Sequence, residues 1–369
     1  MVCLVGTIIV STLSSFDPYR STPKAVLLLA SITLFYLTVI IAARTYTALR
    51  WTLRFYLGVG TVVGVVGFAS IDWQIRSGLF AGVVDRLSVK PLQLVGMQEA
   101  VNPNQLAGVM LWLVPLAAAL TFHGWSSFRT DRKLTISNVT GAVLLTCISG
   151  SGLGLVLLTQ SRSAIAGLAV GLVSVALILT PRQHRYAVCL LGGSLAVAPI
   201  VYLLSRTPIL DYASGTTPVS TLVMRVEIWA RAIDAIQDFP FTGAGLNGFR
   251  AIIHHIYPLT AVPPTVDIAH AHNTWLQVAL DLGLPGLIAY VAIVFGTLTT
   301  QVEVLRRAVD GRTDSPAISA GVIGCLAAFV VYGLTDTVGL GAVPGFLFWI
   351  LLGIAIAAWK LGTRCSTSL

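Results

Sequence analysis

The sequence is dominated by apolar runs of about twenty residues separated by short polar segments. A helix needs roughly 20 apolar residues to cross a hydrocarbon core about 30 Å thick. Such runs lie near 2–16, 24–43, 52–71, 103–122, 136–159, 163–180, 186–205, 284–300, 316–335 and 341–359. Composition agrees, since 56% of the 369 residues are hydrophobic and only 10% are charged, against about a quarter charged in soluble domains. The pattern predicts an all-α polytopic transmembrane helix bundle of about ten spans. Run 1–16 lacks a basic n-region and an A-x-A cleavage site, so it reads as a short first span rather than a signal peptide.

Charge sets the sidedness. Arg44, Arg50 and Arg54 fill one inter-span segment, and Arg129, Arg132 and Lys133 a second. Arg182 and Arg185 fill a third, Arg306, Arg307 and Arg312 a fourth, and Lys360 and Arg364 the tail. Ten crossings put all of these, and both termini, in the cytoplasm, as the positive-inside rule requires. The formal net charge of +8 therefore marks topology rather than a nucleic-acid surface. The five cysteines show no CxxC spacing, which indicates neither a zinc site nor a disulfide framework.

The opposite face receives 72–102, the tight junction 160–163, the segment 206–273 and a short link at 336–341. A stretch as long as 206–273 exceeds what a plain connector needs and is usually functional. The chain accordingly divides into N-terminal spans (1–205), a loop with amphipathic and interfacial helices (206–283), and C-terminal spans with a tail (284–369). Within the loop, 221–238 reads as an amphipathic helix stopped by Pro240, with Val226, Trp229, Ile233 and Ile236 on its apolar side. Glu227 and Arg231 are spaced for an i,i+4 pair. The glycines of the following TGAGLNGF suit a tight turn, and the pattern is not a phosphate loop.

Three groups of candidates share this face. Arg162 starts a helix whose free N–H groups attract anions; its plainer role is a topological anchor. Arg225 sits one turn from Trp229 on the side expected to face the membrane. Its guanidinium fork suits diphosphate oxygens, while its plainer role is a solvated helix residue. His270 and His272 would point the same way in extended chain, but no further ligand completes a metal site at a recognisable spacing, so no metal is expected. Asn273 is a good N-cap for helix 274–282, which puts His272 at the helix's positive end. There the dipole disfavours the imidazolium and leaves a ring able to accept a proton, with capping as the structural alternative. Asp281, before a break at Gly283 and Pro285, is a functional candidate by its depth or a partner for an arginine.

These motifs resemble one family. They are Asn102-Pro103-Asn104-Gln105-Leu106-Ala107, Thr159-Gln160-Ser161-Arg162-Ser163, Arg225-x-x-x-Trp229, Pro240-x-Thr242-Gly243-x-Gly245-x-x-Gly248-Phe249, and His270-x-His272-Asn273-Thr274-x-Leu276. Over roughly 100–300, in this order, the set is similar to the O-antigen ligase and O-antigen polymerase superfamily of bacterial membrane glycosyltransferases. The resemblance implies a helix bundle in the bacterial inner membrane with a large periplasmic loop and the active face periplasmic. It implies a glycan donor on undecaprenyl diphosphate, a glycan or lipid A-core acceptor, membrane lipids as surroundings, and no cofactor or metal. It assigns Arg162 and Arg225 to the diphosphate and His272 to acceptor activation, with Asn104, Trp229, Asn273 and Asp281 in support. Asp281 stands where the family more often has Glu, and relatives often have about twelve spans. A polymerase using the same donor shares these motifs. A transporter, resembling proteins once linked to inorganic-carbon uptake, would instead place ionisable residues at mid-membrane with an inverted repeat, and no repeat is visible.

Overall fold

The computed structural model describes residues 1–73, 91–93, 100–131, 136–186, 188, 222–260, 267–307 and 315–366. Twelve α-helices are followed here: α1 (Val2–Leu13), α2 (Pro18–Ala42), α3 (Tyr46–Ala69), α4 (Pro103–Met110), α5 (Val114–Asp131), α6 (Ile136–Leu158), α7 (Arg162–Leu179), α8 (Leu222–Asp238), α9 (Phe249–Ile252), α10 (Thr274–Arg307), α11 (Ser315–Gly333) and α12 (Phe346–Ser366). Among the described residues, eight helices are long and apolar enough to cross a membrane. The protein is a polytopic helical membrane bundle.

Two of the ten expected spans are not among those eight. Run 2–16 forms α1, whose 12 residues rise about 18 Å, short of a hydrocarbon core. Run 186–205 falls almost wholly outside the described residues, as does loop 206–221. One span is built from two helices. Pro115 lacks an N–H and its ring crowds the carbonyl four residues back, so α4 and α5 join through a turn at 111–113. The Trp112 carbonyl freed there accepts from Tyr56 Oη at 2.6 Å and Cys325 Sγ at 3.2 Å.

Helix α11 is the centre of the bundle, packed against α5, α7, α10 and α12, while α12 also packs on α2. A Cβ added at Gly167 would come within 2.5 Å of the Ala328 carbonyl oxygen, and one at Gly171 within 2.5 Å of that of Gly324. Small residues let membrane helices approach this closely. The two contacts step in opposite directions, so α7 and α11 are antiparallel, and the same register sets Arg162 level with Gly333.

Helices α8 and α9 share a small core of their own with the start of α10, including Ile228, Ala232 and Ala235 of α8, Phe249 and Ile252 of α9, and Leu280 of α10. This corrects the apolar side expected for α8: Ile228, Ala232 and Ala235 face inward, Trp229 and Ile236 are partly buried, and Val226 and Ile233 are 53% and 45% exposed. The alanines let α8 lie close on α10. Arg231 bonds Asp234 at 2.7 Å, three residues on, while the Glu227 carboxylate accepts from Thr260 N and Oγ1 at 2.5 and 2.6 Å.

Helix α10 breaks where expected. Gly283 has φ 71° and ψ 177°, a conformation open essentially only to glycine. The backbone groups released by the break are taken up by the glycine-rich turn after α8. Ala244 N donates to the Leu280 carbonyl at 2.7 Å, and Leu284 N to the Pro240 carbonyl at 2.7 Å. The close fit requires Gly243, at φ 67°, where a Cβ would lie 2.7 Å from the Asp281 carbonyl carbon.

Candidate active site

The link after α11 carries the residue that organises this end of the bundle. Asp336 is buried, with its side chain 1% exposed. Its Oδ1 accepts from Thr337 N at 2.9 Å and faces His272 Nδ1 at 3.4 Å. Its Oδ2 lies 3.5 Å from Arg225 NH2. Arg225 NH1 donates to the Thr335 carbonyl, while its Nε has no hydrogen-bond partner. Arg225 and His272 are 15% and 21% exposed, so both reach solvent only at an edge. Thus α8, the approach to α10 and the α11–α12 link each contribute one charged or titratable group to one cluster.

His272 is held from both sides. Its φ of 49° lies in the left-handed region, uncommon for a residue with a Cβ although histidine is enriched there. On one side Asn273 caps α10, its Oδ1 accepting from Trp275 N at 3.0 Å and Leu276 N at 3.1 Å. Asn273 Nδ2 also reaches the Leu334 carbonyl at 2.9 Å, tying the cap to the Asp336 link. On the other side, the Ala271 carbonyl accepts from Trp229 Nε1 at 2.9 Å, and Ala271 N donates to Gln277 Oε1 at 2.8 Å. Arg225 and Trp229 therefore share the face turned toward the histidine segment, not the membrane.

Asp281 acts one step further out. It accepts from Gln277 Nε2 at 2.9 Å and Asn247 N at 3.1 Å, so the chain Asp281–Gln277–Ala271 fixes the backbone between the two histidines. The expected arginine partner is not seen, since among the described residues Arg250 pairs instead with Asp267. Asn104 lies in the first turn of α4, where its carbonyl accepts from Tyr332 Oη at 3.1 Å; the same hydroxyl is 3.3 Å from the Thr337 carbonyl. Arg162 is exposed at the start of α7, and no hydrogen bond or ion pair is recorded for it among the described residues. The structure thus brings together His272, Arg225, Trp229 and Asn273, places Asn104 and Asp281 one contact away, and leaves Arg162 on the same end without touching them.

Sequence spacing missed three participants. Asp336 lies 64 residues from His272; its one signal is that it is an acid in a short link on the candidate face. Gln277 is hidden in the apolar run of α10. Gln105 Nε2 sits 3.4 Å from His270 Nε2. The His270 ring packs edge-on to His272, with centroids 4.3 Å apart. Burial, then the neighbouring His272, pushes His270 down to about 4. Burial alone would raise Asp336, but the hydrogen bond from His272 and the charges of His272 and Arg225 hold it below the usual carboxylate range.

Asp336 also supplies the third ligand that sequence spacing did not find, because ligand atoms of His270, His272 and Asp336 all lie within 4.8 Å of one another. Two histidines and a carboxylate suit a transition metal, yet here the Arg225 cation already occupies one side of the carboxylate.

Residues 141–291 match the family model for O-Antigen ligase. That stretch, less than half of the chain, is similar to the O-antigen ligase family. No curated protein matches the chain. The O-antigen ligase match contains Arg162, Arg225, Trp229, His272, Asn273 and Asp281 and ends before Asp336. Proteins of this class are membrane glycosyltransferase-like ligases and polymerases acting on glycan substrates among membrane lipids.

Proposed function

We propose that the protein transfers a glycan from undecaprenyl diphosphate to a sugar hydroxyl of a lipid A-core acceptor, on the periplasmic face of the bacterial inner membrane. The observation that carries this reading is the His272–Asp336–Arg225 cluster. A buried carboxylate facing Nδ1 favours the tautomer that leaves Nε2 free to take a proton. The acceptor hydroxyl gives its proton to Nε2 as its oxygen bonds to the anomeric carbon of the donor. The bond from that carbon to the diphosphate oxygen breaks, and the diphosphate departs with the electron pair. Arg225, with Nε uncommitted, and Arg162, exposed at a helix N-terminus, meet the charge that develops there. Fixed guanidinium charge supplies what a metal would otherwise provide, so turnover in chelator is expected to be undiminished, and its loss on chelation overturns this part of the reading.

A polymerase that uses a second donor molecule as acceptor fits the same cluster. A transporter fits less well, since the charged groups gather at one end of the bundle and the break in α10 is filled by backbone. The decisive experiment is transfer in vitro by purified protein from a lipid-diphosphate glycan, offered lipid A-core or excess donor. His272→Ala is expected to lose about 10²–10⁴-fold in rate, the usual worth of a general base, with folding and insertion unchanged. A variant that retains full activity removes His272 from the reaction. Growth of the lipid-linked glycan without any transfer to lipid A-core identifies the polymerase.

A further inference from the structure

The two imidazoles beside Asp336 are loosely bonded for groups so enclosed. His272 Nδ1 stands 3.4 Å from Asp336 Oδ1, and His270 Nε2 stands 3.4 Å from Gln105 Nε2. The contact from His272 N to His270 Nδ1 is also 3.4 Å, and a full hydrogen bond spans roughly 2.7–3.2 Å. Asp336 Oδ2 is buried and accepts no hydrogen bond. One ligand atom from each of His270, His272 and Asp336 lies within 4.8 Å of the other two. Ligands about 2.0–2.1 Å from a zinc ion sit about 3.3 Å apart along a tetrahedral edge. The His272–Asp336 pair already has that spacing, and His270 needs to close by about 1.5 Å or less. His270 and Asp336 are buried, so a fourth position opens to water on the side of His272, which is 21% exposed.

We propose that His270, His272 and Asp336 form a site for a divalent ion of the zinc class, and that filling it shuts off transfer. Imidazole nitrogens with one carboxylate oxygen suit Zn²⁺ or Co²⁺ rather than Mg²⁺, which takes oxygen ligands in an octahedron. The ion bonds to His272 Nδ1 through the lone pair aimed at Asp336 Oδ1. The hydrogen that Nδ1 carries in the transfer-competent tautomer leaves through water, and Nε2 takes one up, so protons balance and the ring stays neutral. Nε2 then has no lone pair with which to accept the proton of the acceptor hydroxyl. Arg225 limits the affinity, because its NH2 lies 3.5 Å from Oδ2 and its charge repels a cation at Oδ1. The site therefore fills as metal concentration rises and is not a resident centre. Binding stands on the geometry alone; the inhibition rests on the transfer reading above.

Full-length protein without a histidine tag, in nanodiscs, is titrated with Co²⁺, whose visible absorption intensifies on four-coordination. One Co²⁺ per chain is expected, displaced by Zn²⁺ and indifferent to excess Mg²⁺. His270→Gln should weaken binding about tenfold or more, as loss of a ligand must. His255→Gln, at an exposed histidine outside the cluster, should leave it unchanged. Arg225→Gln should tighten binding about tenfold by removing the opposing charge. That gain does not come from misfolding, so it keeps the test decisive if His270→Gln fails to fold. No cobalt absorption in the parent protein, its loss in His255→Gln, or parent affinity in both cluster variants overturns the site. Transfer measured in parallel separates the two readings. Zn²⁺ should inhibit over the range in which it displaces Co²⁺, with chelator restoring the rate. Binding without inhibition overturns the shut-off alone, and binding in a protein that transfers to no acceptor sinks the transfer reading.

Discussion

Asp336 is the residue on which this end of the protein depends. Its carboxylate faces His272 and Arg225 together, so Asp336→Asn should act on both while keeping the side-chain volume. Transfer should drop by about 10²-fold or more, toward the value of His272→Ala, because the amide no longer selects the tautomer; unchanged turnover would make the contact incidental. Arg162→Lys is expected to lose about tenfold, since an ammonium replaces a fork that bonds two oxygens at once. The pH response follows from His270. Its value of about 4 in the fold is below the ordinary 6.5, so the unfolded chain binds the extra proton first. Stability is therefore full above about 6.5 and declines as pH falls toward about 4, a trend that thermal unfolding across this window will reveal or refute. None of the Asp336 contacts was legible beforehand, because a pairing 64 residues apart leaves no periodic trace. His272 was legible because the Asn-Thr cap that positions it is local.

At the scale of elements, the periodic signals read well where burial alone decides. Spans α6, α7 and α11 begin and end within two residues of the apolar runs, because in a hydrocarbon core a single segment satisfies its own backbone only as a helix. Helices α2 and α3 start six residues ahead of theirs, in polar sequence outside the apolar run. Helix α8 was misread because large side chains were taken to mark the inner face. Packing on α10 is instead set by Ala232 and Ala235, and the larger Val226 and Ile233 are left outside. The break in α10 was legible from Gly283 and Pro285, while the turn that seals it was not. Both halves of that joint can be tested. Gly283→Ala and Gly243→Ala put a Cβ on left-handed backbone pressed against other backbone, and each should cost about 1–3 kcal/mol or more, read as a lower melting temperature in detergent. Gln277→Leu preserves shape but strips hydrogen bonds from Ala271 N and Asp281, a loss of about 1–3 kcal/mol for each buried group left unpaired. Its transfer rate should fall as well if the backbone beside His272 loosens.

The whole molecule is an arrangement of ends. Helices α4, α7 and α10 start, and α3, α6 and α11 finish, on the side where His272 lies, so residues from remote parts of the sequence meet there. The charge rule predicts that this side is periplasmic. A cysteine replacing His255 in otherwise cysteine-free protein should react with a membrane-impermeant maleimide on intact cells, whereas one replacing Ser126 should react only after lysis. The opposite pattern would invert the protein and overturn the proposal of a periplasmic donor.

The distance in sequence between His272 and Asp336 has a consequence for biogenesis. The ribosome delivers the imidazole first, and the carboxylate 64 residues later, on the order of several seconds at 5–20 residues/s. In that interval the nascent chain holds the histidine without the group that orients it. On the transfer reading, competence arrives only when the final hairpin, α11 with α12, has been threaded into place.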